Sequence, residues 1–422
     1  MLYERWRQIA RENRNVIALH DPVHGECWTF GQLASATEGA AEKGPVAFPQ
    51  GREFIFMLLR AWRSGQAVCP LEPGQSPPQI GHLPGGCAHL KMTSSTTCEA
   101  RMVAFRGGQL AADAENIVTT MGLRPDLPNL GVISLAHSYG FSNLVLPLVL
   151  HGIPLVLADS PMPESVRRAA ASQEAVTLPA VPALWRTWHE ANAIPSNVRL
   201  AISAGAPLSQ ALEQSIFAGR GLKVHNFYGS SECGGIAYDA SETPRTDPAY
   251  AGRPMRNVEL SVGAGGCLEV RGRAVGETYW PEPGAALANR RFQTSDLADL
   301  LDGDVYLRGR AGDQIHVAGR KVSPEAVERL LLLHPGVRDC LVFGSPSADA
   351  ERTEIIVACV CAGSMVNGES LKQFLLEKVP AWQIPREWMF VDRLDANGRG
   401  KLSRAEWRRK FLEMDGLEAR GV

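Results

Sequence analysis

Short apolar runs alternate with amphipathic stretches of helical period along most of the first three hundred positions of the chain. Leu130-Gly-Val-Ile-Ser-Leu, Ile153-Pro-Leu-Val-Leu-Ala and Val198-Arg-Leu-Ala-Ile-Ser read as strands, and Pro163–Ser172 and Leu208–Ala218 as helices. Strands that are apolar at consecutive positions are buried on both faces, so this rhythm predicts layered α/β structure with mostly central strands. Around Cys267-Leu-Glu-Val-Arg-Gly-Arg and Asp304-Val-Tyr-Leu-Arg-Gly-Arg the pattern changes to short strands set off by glycine turns such as Asp302-Gly303. That change predicts an antiparallel or barrel-like piece.

A second change follows Gly309-Arg-Ala-Gly-Asp313. Beyond it the pattern predicts a strand, a helix over Pro324–Leu333 with proline in its first turn, and two strands at Cys340-Leu-Val-Phe-Gly and Ile355–Ala362. A helix over Glu369–Lys378 and a basic end complete it. About a hundred residues with their own β-α-β-β-α pattern can form a small independent domain. The predicted organisation is an α/β large N-terminal domain over residues 1–309, a connector at 310–313, and a small α+β C-terminal domain over 314–422. Internal repeats and low-complexity tracts are absent.

The chain has 422 residues, 45% hydrophobic and 21% charged, with 43 basic against 45 acidic side chains. Such a chain buries sizeable cores and is too long for one small module. A net charge of -2 gives no global electrostatic footprint for nucleic acid, which is therefore not the expected partner. The charged start Met-Leu-Tyr-Glu-Arg-Trp-Arg does not read as an export signal, and the most apolar run, Asn143–Ala158, is cut by Pro147, His151, Gly152 and Pro154, so no membrane span is expected. Nine cysteines without zinc spacing, with Cys359 and Cys361 on one face of a strand, read as buried reduced thiols of a cytoplasmic protein.

Four segments carry candidate chemistry. Lys91-Met-Thr-Ser-Ser-Thr-Thr-Cys-Glu-Ala-Arg101 has five consecutive hydroxyl residues followed by a cation. Hydroxyl runs are commonly turns, yet such a loop can also surround phosphate oxygens, with Arg101 as a bidentate fork. The Walker pattern G-x-x-x-x-G-K-S/T is absent. Asn226-Phe-Tyr-Gly-Ser-Ser-Glu-Cys-Gly-Gly-Ile236 is a strand end opening into a glycine-rich loop, where Tyr228 can stack on a base and Glu232 can offer hard oxygen ligands to Mg2+. Thr294-Ser-Asp-Leu-Ala-Asp299 places Asp296 where a carboxylate can accept the two hydroxyls of a ribose, with Arg310 at the domain boundary. Asn397-Gly-Arg-Gly-Lys-Leu-Ser-Arg404 is a glycine-flanked lysine on a C-terminal turn.

Taken in order, with Trp28-Thr-Phe-Gly-Gln-Leu33, Ala61-Trp-Arg-Ser-Gly-Gln-Ala-Val-Cys-Pro70 and Ser203-Ala-Gly-Ala-Pro-Leu208, these segments resemble the adenylate-forming superfamily of acyl-CoA synthetases, adenylation domains and luciferases. The resemblance covers nearly the whole chain. It implies that Thr93, Ser94, Ser95, Thr96 and Thr97 form the phosphate loop, with Arg101 beside it, and that Gly205, Ala206, Pro207 and Tyr228 enclose the adenine. It further implies Ser231 and Glu232 on the α-phosphate and Mg2+, Asp296 and Arg310 on the ribose, and Lys401 as a mobile catalytic lysine on a small domain that rotates about Gly312.

Where the family loop reads T-S-G-T-T-G-x-P-K, this chain has Ser95, Cys98, Ala100 and Arg101. Side chains at Ser95 and Cys98 narrow the space for backbone approach and remove the freedom to take φ > 0. Only about twenty residues separate Pro70 from Thr93, short for the family, so a trimmed N-terminal layer is expected. Leu135-Ala-His-Ser-Tyr-Gly-Phe141 resembles the H-x-x-G element of acyl and aryl acid ligases, with His137 counted among the catalytic residues. No charge is at hand there to pair with an ammonium, which argues against an amino acid substrate. The expected pocket wall, from His137, Tyr139 and Phe141 with Gly234, Gly235 and Ile236, suits an aryl or acyl carboxylate, although the aromatics also fit ordinary core packing.

The implied function is ATP-dependent activation of such an acid as acyl-AMP, then transfer to a pantetheine thiol, coenzyme A ahead of a phosphopantetheine-bearing acyl carrier protein. From Arg386 to Lys410 there are eight basic residues against four acids, which reads as a solvated face or as a docking surface for either acceptor. A degenerate nucleotide-binding scaffold is the alternative from another class, prompted by the altered phosphate loop.

Overall fold

The computed structural model describes residues 1–39, 46–47, 51–72, 75–93, 101–347, 354–394 and 402–414. Its centre is a run of parallel strands in spatial order Val224–Ser230, Val198–Ser203, Val176–Ala180, Asn129–Gly131, Leu155–Leu157 and Ile17–Asp21. Every residue of Val176–Ala180 is buried, as consecutive apolar positions require. The crossover helices carry ordinary end signals. Pro163 opens Pro163–Ala171, and Ser209 caps Gln210–Arg220 by accepting from the Leu212 amide before Gly221 closes it in the left-handed conformation.

Beyond Val224–Ser230 the same sheet continues antiparallel through Gly234–Tyr238, Tyr250–Pro254, Asp304–Arg310, Arg291–Leu301, Cys267–Gly272 and Val258–Val262. This is where the sequence changes from continuous apolar runs to short strands with glycine turns. A second sheet pairs Cys87–Met92 with Met102–Arg106 and brings in Thr278–Trp280 from far along the chain. The predicted strand at Leu130–Leu135 is shorter than expected: pairing ends at Gly131, and bends carry the chain to the helix that starts at Ser138.

After Arg310 a single turn, Ala311–Asp313, leads to a hairpin of Ile315–Val317 and Arg320–Val322 where one strand was expected. Val337–Pro346, Glu354–Ala362 and Glu387–Phe390 then form a three-stranded sheet. Period-two alternation splits it cleanly. Cys340 and Val342 face helices Pro324–Leu331 and Gly368–Leu376, whereas Leu341, Phe343, Val357 and Cys359 face Trp407 and Phe411 of helix Arg404–Met414. Among the described residues no helix is long and apolar enough to cross a membrane.

Candidate active site

The carboxyl ends of the parallel strands emerge together, the usual place for a ligand in an open α/β sheet. Val198–Ser203 and Val224–Ser230 are neighbours, with Ser203 opposite Asn226. Their exits therefore set the exposed turn Gly205-Ala206-Pro207, with Gly205 at φ +88, beside Tyr228. The Tyr228 hydroxyl donates to Asp296 Oδ2 at 2.5 Å, and Arg310 Nε donates to Asp296 Oδ1 at 3.1 Å. Burial first, and then the Asp296 carboxylate, push the Tyr228 phenol well above its ordinary value, so it stays a donor. Asp296 and Arg310 are direct cross-strand partners, and the register slips between Leu297 and Ala298, a bulge of the kind that re-aims side chains beside sites.

Ser231 and Glu232 form the tip of the hairpin between Val224–Ser230 and Gly234–Tyr238. The Ser138 hydroxyl donates to Ser231 Oγ at 2.9 Å, which brings the His137 element onto this tip. His137 caps the helix that starts at Ser138 by accepting from the Tyr139 amide. Gly140, the last position of that H-x-x-G element, has no room for a side chain: a Cβ there would lie 2.0 Å from the Ser134 carbonyl oxygen.

The segment expected to be the phosphate loop leaves from Thr93 and returns at Arg101. The Thr93 amide and hydroxyl both donate to the Arg101 carbonyl at 2.9 Å, closing its base. Ser94, Ser95, Thr96 and Thr97 lie outside the described residues, as does Lys401. The exposed Arg101 guanidinium sits 5.9 Å from the centroid of the Tyr279 ring, whose hydroxyl donates to Glu232 Oε1 at 3.2 Å. A continuous set of contacts therefore runs from Arg101 through Tyr279, Glu232 and Ser231 to Ser138, and a second joins Tyr228, Asp296 and Arg310.

The apolar side chains of the expected acid-side wall are buried in the core. Tyr139 lies against Phe227, and its hydroxyl donates to the Ile202 carbonyl. Tyr139, 9% exposed, sits in a core cluster with Ile117 and Met121, and Phe141 and Ile236, each 0% exposed, lie in the main core, Phe141 stacked on His89 with ring centroids 3.9 Å apart. Behind Gly234 and Gly235 lies a buried polar network that sequence reading missed. Lys91 donates to Ser142 at 3.0 Å, Ser142 donates to Asp113 Oδ2 at 2.6 Å, and Asp113 Oδ1 accepts from the Gly235 amide at 3.2 Å. Burial lowers the Lys91 ammonium, and Asp113 opposes that by favouring its charge. Lys91 and His89 on a strand otherwise apolar were the available signal.

The expected connector residue Gly312 stands in open space within the turn Ala311–Asp313, outside the left-handed region. Gly309 is the constrained glycine, at φ +120 with the Ser323 hydroxyl and the Glu325 carboxylate within about 2.5 Å of where a Cβ would stand. Arg404, counted from sequence within the basic surface, is committed elsewhere. It donates to Asp313 at 2.9 Å, to both Glu328 oxygens at 2.9 Å and to the Val342 carbonyl at 2.9 Å.

Residues 83–284 match the model of the AMP-binding enzyme family, and residues 326–401 match that of the AMP-binding enzyme C-terminal domain. The chain belongs to the adenylate-forming superfamily. Among relatives of this adenylate-forming chain, a feruloyl-CoA synthase from Amycolatopsis is 28% identical over 347 residues, covering 76% of this chain and 69% of that one. An indoleacetate–CoA ligase from Aromatoleum aromaticum is 28% identical over 433 residues, covering 96% of this chain and 82% of its own. The fold matches ATP-bound MatB from Rhodopseudomonas palustris with a TM-score of 0.85 at 18% identity, covering 98% of this chain and 100% of that one. It also matches o-succinylbenzoate CoA synthetase from Bacillus subtilis, solved with its acyl-adenylate intermediate, with a TM-score of 0.80 at 21% identity, covering 96% and 97%.

The donor set fits a nucleotide. Asp296 offers carboxylate oxygens already held by a phenol and a guanidinium, and Arg101 is an exposed fork at the loop exit. For Mg2+, the described residues contain no group of three or more His, Cys, Asp or Glu side chains. A site with the single carboxylate Glu232 fits a hard cation that takes its remaining ligands from phosphate oxygens and water.

Proposed function

We propose that this chain activates a carboxylic acid other than an amino acid, aryl or acyl, as acyl-AMP with release of pyrophosphate, and then transfers the acyl group to a pantetheine thiol. The observation that carries the reading is the union of segments far apart in sequence: Tyr228, Asp296 and Arg310 on one side, and Arg101, Glu232, Ser231 and Ser138 on the other. Asp296 and Arg310 orient the ribose while the Gly205–Pro207 turn and Tyr228 enclose the base. Arg101 neutralises the departing phosphates, Ser231 contacts the α-phosphate, and His137 lines the approach of the acid to the α-phosphorus. Glu232 would hold Mg2+, which when bound would supply positive charge to the phosphate oxygens. Lys401 stabilises the charge that builds as the acid oxygen attacks and pyrophosphate leaves.

Gly312 is the proposed pivot of the small domain, residues 314–422, between the two half-reactions. Coenzyme A is the proposed acceptor, supported by relatives named as feruloyl-CoA, indoleacetate-CoA and 2-succinylbenzoate-CoA ligases. A carrier protein is the second reading, supported by a relative named fatty acid–acyl-carrier-protein ligase, 30% identical over 236 residues.

The test is acid-dependent exchange of pyrophosphate into ATP across a panel of aryl and acyl acids. Exchange with one group of acids supports the reading. ATP binding without exchange for any acid favours a nucleotide-binding scaffold.

A further inference from the structure

The strand Thr278–Trp280 adds itself to the edge of Met102–Arg106, the strand that leaves the phosphate loop, with Tyr279 opposite Val103 and Trp280 opposite Met102. Alternation sends Trp280 inward, where its indole N–H donates to the His82 carbonyl, and leaves Tyr279 half-buried toward the loop. The neighbouring backbone ties the same strand to the hairpin tip, since the Gly276 amide donates to the Glu232 carbonyl at 2.8 Å. Tyr279 therefore meets two groups of opposite charge from two different elements. Its hydroxyl reaches Glu232 Oε1 at 3.2 Å, and the guanidinium of Arg101 lies over its ring.

We propose that Tyr279 is a positioning residue that fixes the Glu232 carboxylate for the metal and, through its ring, holds Arg101 at the exit of the phosphate loop. The inference rests on the nucleotide-activating reading above. A carboxylate on a hairpin tip has free rotation about its side-chain torsions, and a hydrogen bond to one oxygen removes much of it while leaving the other oxygen to the cation. The ring is a separate device: a guanidinium over a π face is held without consuming the donors that a phosphate needs. One residue thus serves two roles that substitution can separate.

The experiment is calorimetric titration of ATP, without any acid or acceptor, into wild type, Tyr279→Phe, Tyr279→Leu, Glu232→Gln and the Tyr279→Phe, Glu232→Gln double variant. Each is measured with Mg2+ and again with chelator. Losing a hydrogen bond to a charged group costs roughly tenfold in affinity, so Tyr279→Phe should weaken Mg·ATP by about that factor and metal-free ATP by less than about twofold. In the Glu232→Gln background the same change should cost much less, because a neutral amide oxygen accepts a weaker hydrogen bond than a carboxylate. Tyr279→Leu should also weaken metal-free ATP, as Arg101 loses its platform.

Equal losses with and without metal in Tyr279→Phe, no loss at all, or full additivity with Glu232→Gln would overturn the proposal. Should Tyr279→Phe fail to fold, Tyr279→Leu carries the test: its loss with Mg·ATP should shrink in a Glu232→Gln background, and its loss with metal-free ATP should disappear in an Arg101→Ala background. Full additivity in both backgrounds would overturn it. Wild type that binds no ATP in either condition would overturn the proposed function and this inference together. Normal binding with a silent Tyr279→Phe overturns the inference alone.

Discussion

Arg310 and Arg404 stand on opposite sides of the Ala311–Asp313 turn and live in opposite surroundings. Arg310, 57% exposed, pairs with Asp296, which also accepts from Tyr228. Arg404, 22% exposed, is saturated by Asp313, Glu325, Glu328 and the Val342 carbonyl. The same residue type does different work because solvent access differs. An exposed guanidinium keeps donors available for a ligand, whereas a nearly enclosed one is useful only when every donor already has a protein acceptor. On the large-domain side, then, the exposed cations Arg101 and Arg310 are the ones that the proposed function directs to a nucleotide. On the small-domain side, Arg404 binds the turn, helix Pro324–Leu331 and the start of helix Arg404–Met414 into one body.

The largest effect is expected at Lys401, three positions before Arg404. Lys401→Ala should lower acid-dependent pyrophosphate exchange by about a hundredfold or more, as loss of a transition-state charge does, with ATP affinity little changed. Equal exchange in both proteins would remove the lysine from the mechanism.

Arg404→Ala would leave Glu328 and Glu325 facing each other without their cation, and breaking such an enclosed pair costs about 3–5 kcal/mol. Urea unfolding should register that loss, whereas Arg310→Ala, breaking an exposed pair, should cost under about 1 kcal/mol and weaken ATP instead. If the two variants changed places, the division between ligand-directed and structural arginines would be wrong.

Arg101→Ala should weaken ATP by roughly ten- to a hundredfold while the acid is bound as before, and Arg101→Lys should recover part of it, since a point charge replaces a fork. Unchanged ATP affinity in Arg101→Ala would show that the loop exit does not meet phosphate. At the turn itself, Gly312→Pro fixes φ and should slow one half-reaction several-fold more than the other in single-turnover measurements. Equal rates in both halves would place the pivot elsewhere.

The smallest effect is expected on the remaining basic face. Arg408 and Arg409 keep side-chain exposures of 41% and 65%. Changing both to Glu should leave transfer to coenzyme A unaltered. If a carrier protein is the acceptor, the double change should slow its loading and flatten its salt dependence. A loss with coenzyme A would sharpen the contrast with Arg404 in an unexpected direction, by making part of this face ligand-directed too.

Much of this was legible along the chain, because its signals are local. Consecutive apolar positions announced the central strands, Pro163 and Pro324 marked helix starts, and glycine turns announced the antiparallel region. The order of the motifs pointed to the superfamily, since each is a short string readable without knowing its neighbours. The change of pattern after Gly309-Arg-Ala-Gly-Asp313 falls where strand Asp304–Arg310 ends.

What only the tertiary structure decided concerns pairs distant in sequence, which no periodicity encodes. Tyr228 and Asp296 are 68 positions apart, and Tyr279 lies 47 beyond Glu232; their meeting depends on strand order and register. Exposure also had to be seen rather than read. Phe141 was a fair candidate for a pocket wall until His89 stacked on it, and Arg404 a fair member of a basic surface until four acceptors enclosed it. Sequence sets what a side chain can do, through its charge, size and hydrogen-bonding groups. Packing sets which of those abilities remain free, because each buried polar group must first satisfy its own neighbours.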